Sequence, residues 1–363
     1  MSCDIEAILR EYDCQIKDNQ SYLISMHTLI ERLLEESGIQ VHVVTHRLKT
    51  RKSLEKKIQA DNVKIEKYED ITDINGIRVI TLFADDVDKI SELVEKEFQI
   101  DTEHSIDKRK QIEPDRFGYL SMHYILNLDA TRLKHKEYSK FSGFKAELQI
   151  RSILQHAWAE IEHDLGYKSE DGLPREERRT FSMLAGILEL SDKQFINLRE
   201  SLKSHKENVE ESVKRNELDI PIDEASLLAF INASELVSKI DEAIRLNLKW
   251  EKRDIPVNPS VIKMLKFVNI NNIKDLNGAL LKYEEKIAEF AYKFMISTVA
   301  KAGLGAKGMC IFNLALLLAG RSLSTDFMKR FMIDTNLFDG IQEGHQNALL
   351  VEWTNTNESL NIH

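Results

Sequence analysis

Residues 1–216 predict an α+β fold, a mixed central β-sheet flanked by helices, and residues 217–363 predict an all-helical C-terminal domain. Three observations carry this. Short runs rich in β-branched residues, GIRVITLF at 76–83 above all, have the composition of buried strands. Between them lie stretches with apolar residues every three or four positions, but not in the regular alternation of a parallel βαβ fold. Beyond Ile220-Pro221 the periodicity is almost wholly helical.

Ile5, Leu9, Tyr12, Ile16, Leu23, Ile30 and Leu33 share one helical face, and Gly38 ends the segment, so one long helix or two in tandem opens the chain. Ile39, Val41 and Val43 then alternate as a strand, and 49–60 reads as a helix. After the strand at 76–83, Asp85 and Asp86 are suited to cap a helix over 87–98. Residues 120–128 and 144–151 read as strands, 152–165 as a helix, and Pro174 opens a helical stretch reaching about residue 215. In the second domain 227–248, 261–267, 277–301 and 309–319 are helical in pattern. Between the last two, GLGAKGM at 303–309 lacks the GK[ST] ending of a phosphate loop and reads as a connection between helices.

A chain of 363 residues, 42% apolar and 30% charged, can bury a real core. Cys3, Cys14 and Cys310 form no CxxC pair, which fits a reducing cytoplasm and argues against a disulfide framework or structural zinc. The first twenty residues lack the apolar core of a signal peptide, and no apolar run is long enough to span a membrane. A net charge of −10 argues against wholesale nucleic-acid binding. Residues 42–57 nevertheless carry six Lys or Arg against Glu55 alone. That suits either a bound anion or a solvated helix face.

Five constellations carry chemistry. If 49–57 is helical, Lys49, Ser53 and Lys57 lie on one stripe, two ammoniums and a hydroxyl suited to a polyphosphate. Asp73, just ahead of a buried strand, can hold Mg²⁺, or Asp73, Asn75 and Gly76 can form a plain turn. Alternation puts Tyr119, Ser121 and His123 on one strand face, fit to stack a base or simply to meet solvent. Glu147, Gln149 and Arg151 share another strand face, where charge is costly unless it serves a ligand or a partner, and Glu147 could complete a two-carboxylate metal site with Asp73 or accept a proton. On the following helix His156, Glu160, His163 and Tyr167 form a polar stripe, mostly scaffold, with His156 nearest the strand. The stripe is not HExxH.

Taken in order, HRLKTRKSLEKK, DINGIRVI, FGYLSMHY, AELQIR and HAWAEIEHDLGYK resemble the RelA/SpoT synthetase domain over roughly residues 20–210. The resemblance implies a nucleotidyltransferase-like fold, Mg²⁺ as cofactor, ATP as donor and GDP or GTP as acceptor. It implies that Arg47 and Arg78 flank the adenine, and that Lys49, Ser53 and Lys57 hold the ATP phosphates. Asp73 and Glu147 then bind Mg²⁺, Tyr119 stacks on guanine, and Ser121, His123, Gln149, Arg151 and His156 surround the acceptor. With 46 residues ahead of Arg47, no hydrolase domain is expected, and DRFG at 115–118 departs from the basic residue many synthetases carry near Asn-Gly. Compact relatives that modify the 3′ end of tRNA or make adenine alarmones keep a second substrate class open, with Lys108, Arg109 and Lys110 as an RNA contact. A non-catalytic nucleotide sensor is the reading from another class. The helical domain is expected to regulate, neutralise, recruit a protein partner or form a homo-oligomer.

Overall fold

The computed structural model describes residues 5–59, 65–107, 121–166, 174–252, 260–298, 304–321, 324–337 and 343–360. Its contacts separate two compact units, Met1–Glu200 and Ser201–His363.

The first unit is built on a five-stranded mixed sheet. Helix α1 (Ile5–Glu36) is a single helix, since neither Gly nor Pro interrupts its apolar stripe, and Gly38 ends it at φ +67°. Strand β1 (Val41–Leu48), helix α2 (Arg51–Ile58), strand β2 (Asn75–Thr81) and helix α3 (Asp86–Glu97) follow. Strands β3 (Gln99–Asp107), β4 (Met122–Asn127) and β5 (Ala146–Ser152) complete the sheet, and helices α4 (Ile153–Gly166) and α5 (Arg175–Lys214) come after it. The order across the sheet is β1-β2-β5-β4-β3, with β2 and β5 parallel and every other pair antiparallel.

The period-2 pattern of the strands divides the sheet into an apolar and a polar face. Ile77, Val79, Tyr124, Leu126, Ala146, Leu148 and Ile150 pack with Tyr22, Met26 and Ile30 of α1 and Val87, Ile90 and Val94 of α3. Gly76, Arg78, Glu147 and Gln149 alternate with these residues and look out from the other face. The N-terminal half of α1 serves a second cluster, in which Ile8, Leu9 and Tyr12 meet Leu54 and Ile58 of α2 and Ile71 and Ile74 ahead of β2. One helix thus fixes both the sheet and the basic segment beside it.

The strand β3 is absent from the sequence reading. It is an edge strand whose QIDTEHSID carries only two apolar residues, and its pairing with β4 is irregular between Asp101 and Ile106. The expected capping by Asp85 is also corrected. Asp85 precedes α3 in helical conformation and makes no cap bond, because its carboxylate is held by Arg199 of α5 and lies 3.6 Å from Lys89. Gly76 makes no turn: it lies inside β2, and Gly38, Gly143 and Gly308 are the glycines of positive φ among the described residues.

Asp101 of β3 supplies a pH test. Burial raises its carboxyl, but hydrogen bonds from His104 and Lys145 (3.0 Å each) outweigh this and draw it down to about 2. A depressed folded value stabilises the fold above the unfolded pKa and is lost as pH falls through about 2. Urea unfolding should therefore find Asp101→Asn weaker than the parent above about pH 5, with the two converging toward pH 2.

In the second unit the expected helix over 227–248 is two helices, α6 (Glu224–Ala233) and α7 (Glu235–Leu248), because Ser234 leaves the helical region and caps α7 by accepting from the Val237 N–H at 3.2 Å. Helices α8 (Ser260–Phe267), α9 (Ile273–Thr298) and α10 (Met309–Gly320) follow. Helices α11 (Thr325–Asp334) and α12 (Glu343–Ser359) were not read from the sequence. The 303–309 connection contains a two-residue strand, Leu304–Gly305, paired with Glu251–Lys252. Ahead of α10, the Asp241 carboxylate accepts from the N–H groups of Gly308 (2.6 Å) and Cys310 (2.7 Å). The run CIFNLALLL is core: Cys310, Ile311 and residues 313–317 are completely buried, around Phe290, Phe331 and Trp353. Among the described residues no helix is long and apolar enough to cross a membrane.

Candidate active site

Parallel pairing of β2 and β5 sets Gly76 opposite Glu147 and Arg78 opposite Gln149, and antiparallel pairing of β1 sets Arg47 opposite Gly76. Three strands therefore bring one basic, one small and one acidic residue into a row. The row floors a cleft of about 270 Å³ lined by Arg47, Arg78, Asp73, Glu147 and Gln149, together with Thr45, His46, Gly76 and Ile77. With no side chain at Gly76 the middle of the row stays open.

Asp73 lies in the extended approach to β2, held by the backbone bond from Lys49 N–H to Ile74 C=O at 2.8 Å. Its Oδ2 accepts from Lys49 Nζ and Lys57 Nζ, both at 2.9 Å. Burial raises its pKa, but the two ammoniums win and hold the carboxyl below the ordinary range. Its other oxygen, Oδ1, is buried and has no hydrogen-bond partner among the described residues. A buried carboxylate oxygen left without a donor is costly, and such atoms gather where a ligand is awaited.

Lys49 and Lys57 do meet, though not as a helical stripe. Lys49 stands in the connection after β1, Thr50 caps α2, and the helix begins at Arg51. Tyr12 of α1 donates to the Lys49 carbonyl at 2.5 Å, fixing the connection. Ser53 is exposed and takes part in the cap, its N–H donating to Thr50 Oγ1 at 3.3 Å. This corrects its expected place between the lysines.

Glu147 accepts from His123 Nδ1 and from Gln149 Nε2, each at 3.1 Å. Burial raises its pKa, as does the nearby charge of Asp73, yet His123 and Gln149 carry the balance downward. The two acids are thus close enough to sense one another, with separate partners. Among the described residues no group of three or more His, Cys, Asp or Glu is arranged to hold a metal ion. A pair of carboxylates is instead the protein share of a site for Mg²⁺, which keeps waters and takes substrate phosphates.

Other expected residues sit elsewhere. Arg151 is 3% exposed and lies 3.4 Å from Glu160 of α4, so it braces the wall where contact with a ligand was expected. Ser121 is fully buried just ahead of β4, which begins at Met122. His156 is half-buried with Nδ1 3.6 Å from Glu160, and burial followed by the charge of Arg151 lowers its pKa. Tyr119 and Lys108, Arg109 and Lys110 lie outside the described residues. The sequence reading missed Thr45 and His46 at the cleft, because the strand begun at Val41 was not followed to Leu48. It also treated Glu160 as scaffold, whereas Glu160 binds Arg78 at 3.0 Å. No spacing rule joins residues 82 positions apart.

Residues 46–172 match the family described as "Region found in RelA / SpoT proteins". All five sequence motifs lie within this stretch. Among curated relatives, "GTP pyrophosphokinase YjbM" of Bacillus subtilis (strain 168) is 27% identical over 172 residues, covering 47% of this chain and 76% of its own. "GTP pyrophosphokinase YwaC" of the same organism is 26% identical, covering 43% and 72%. Of solved structures, small alarmone synthetase 2 from Bacillus subtilis aligns at 22% identity and TM-score 0.44, over 53% of this chain and 99% of its own. Small alarmone synthetase 1 bound to its product pppGpp aligns at 19% and TM-score 0.45, with the same coverages.

Proposed function

We propose that this chain transfers the terminal diphosphate of ATP to the 3′-hydroxyl of GDP or GTP, forming ppGpp or pppGpp and releasing AMP. The observation that carries this reading is the convergence of Asp73 and Glu147 on one cleft beside Lys49, Lys57, Arg47 and Arg78. The names of the relatives agree with it.

Asp73 and Glu147 are the residues that would hold Mg²⁺, and the orphaned Asp73 Oδ1 fits that role. The ion would supply charge neutralisation at the transferring phosphates. Lys49 and Lys57 bind the same phosphates, and Arg47 and Arg78 hold the adenine side of the donor. The acceptor 3′-oxygen forms a bond to the β-phosphorus as the bond from that phosphorus to the AMP oxygen breaks. Glu147, ionised and backed by His123 at 3.1 Å, takes the hydroxyl proton. Little covalent help is needed from protein, since positioning and electrostatics dominate phosphoryl transfer.

Glu160→Gln should separate positioning from chemistry. Glu160 is 52% exposed, so its bond to the part-exposed Arg78 should contribute less than about 1 kcal/mol of stability. Arg78 would lose its anchor, and the KM for ATP should rise several-fold with kcat little changed. Steady-state kinetics read this directly. The defining assay offers γ-³²P-labelled ATP with GDP, GTP, AMP and tRNA in parallel, resolved by thin-layer chromatography. Labelled ppGpp or pppGpp supports the proposal. Label on AMP or tRNA moves the activity to the second substrate class, and ATP binding without AMP release makes the chain a sensor.

A further inference from the structure

The segment 73–76 serves two cavities. Asp73 and Gly76 line the cleft described above, whereas Ile74 and Asn75 line a second cavity of about 260 Å³, which Gln15 and Asn19 of α1 also border. Its other walls come from the short 3₁₀ turn Tyr68–Asp70 with Ile71, and from residues 142–145 ahead of β5. Glu69 and Ser142 are exposed, so the cavity opens to solvent. It is many times larger than one bridging water needs and a little smaller than pockets for drug-sized ligands. All of it lies within the first unit.

The polar groups along its wall leave one acceptor and one donor unused. Asn75 is 1% exposed, and its amide N–H groups donate to Asn19 Oδ1 at 2.8 Å and to the Lys145 carbonyl at 2.9 Å. A carbonyl can only accept, so the second bond fixes which end of the amide is oxygen. That oxygen, Oδ1, is buried and has no partner among the described residues. Asn19 is oriented in the same way by its bond to the Gln15 carbonyl at 3.1 Å, and its Nδ2 also donates to the Tyr68 hydroxyl at 2.9 Å. Tyr68 is the acceptor in that bond, so its own O–H is left to donate. Burial raises its pKa, to about 12, and the proton stays in place at neutral pH. An orphaned buried acceptor is costly, and here it stands on the wall of a cavity large enough to admit its partner.

Charge and apolar surface narrow the ligand. Lys145 is the one cation among the described wall residues, and its ammonium is held by Asp101 at 3.0 Å, so no free cation meets a phosphate or carboxylate. Ile71 and Ile74 are buried, and the Phe144 ring is packed edge-on against Phe141 with centroids 6.0 Å apart, so part of the wall is apolar and fixed. The fitting ligand is uncharged, has apolar faces, and carries an N–H donor and an acceptor at its edges. A nucleobase has this character, and its exocyclic amine is the group that Asn and Gln oxygens meet in base recognition. We propose that this cavity binds an uncharged nucleoside whose base carries an amino group. The amine donates to Asn75 Oδ1, Tyr68 donates to the ligand, and the base rests on the apolar wall. The proposal is independent of the catalytic reading.

Equilibrium dialysis of the full chain with radiolabelled adenosine, guanosine and cytidine tests it, with α,β-methylene-ATP and GDP saturating so that the other cleft is occupied. At least one of the three nucleosides should bind at a single site per chain with a micromolar Kd. Its 5′-monophosphate should bind far more weakly, because the cavity offers the phosphate no free cation. Tyr68→Phe removes only the spare donor, and should weaken nucleoside binding about tenfold while the circular dichroism spectrum stays unchanged. Asn75→Leu removes the orphaned acceptor at similar volume and should abolish binding; if that variant does not fold, Tyr68→Phe decides alone. Failure of all three nucleosides to bind overturns the proposal. So does binding that the monophosphate matches, or binding that Tyr68→Phe leaves unchanged, which would place the nucleoside in the cleft of Asp73 and Glu147.

Discussion

Replacing Glu147 by Gln, or Asp73 by Asn, is expected to lower turnover by about 10²- to 10³-fold with the fold retained. Both substitutions keep side-chain shape and remove the charge. At Glu147 the amide can no longer receive a proton, and Gln149 and His123 lose the carboxylate they now contact. At Asp73 the amide leaves Lys49 and Lys57, both at 2.9 Å, without their counter-charge. Two ammoniums then crowd one site, so Asp73→Asn should also show the greater change in apparent ATP affinity. AMP release in single-turnover experiments, beside circular dichroism, measures both. Wild-type turnover in either variant would refute the site.

The largest stability effect is expected in the second unit. Trp353 is 1% exposed, packs against Phe331 with ring centroids 5.5 Å apart, and donates its indole N–H to the Leu316 carbonyl at 3.0 Å. Trp353→Ala removes a large apolar volume together with this hydrogen bond, a combined cost of about 3–5 kcal/mol. Ile333→Ala, on an exposed side chain, should stay within about 0.5 kcal/mol. Urea denaturation of the two variants supplies the comparison, with the Trp353→Ala midpoint strongly lowered.

Elements with strong periodicity were legible in the sequence, and those that depend on partners were not. The strand at Asn75–Thr81 announces itself by a nearly continuous β-branched run, and the helix at Ile5–Glu36 by one apolar period. The strand at Gln99–Asp107 escapes because an edge strand with one exposed side needs few apolar residues, and β4 supplies what holds it. Helix α12 escapes for a different reason. Its EGHQNALLVEWTNTNES has no clean apolar face, and Leu350 and Trp353 are recruited by a core assembled from distant segments.

The candidate site divides along the same line. By itself the sequence determined which residue types were available for the site: the acids Asp73 and Glu147, the lysines 49 and 57, and a Gly76 entering a buried strand. Strand alternation also determined that Glu147 and Gln149 share a face, because a side-chain period of two is a local property of the chain. Only the tertiary structure decided that Lys49 and Lys57 converge on Asp73 from a strand end and a helix, that Arg151 turns to Glu160, and that Ser121 is sealed inside. Those outcomes depend on the parallel pairing of β2 with β5 and on a helix that clamps the basic segment. Both are contacts between residues far apart in the chain, and no local rule of spacing encodes where such contacts close.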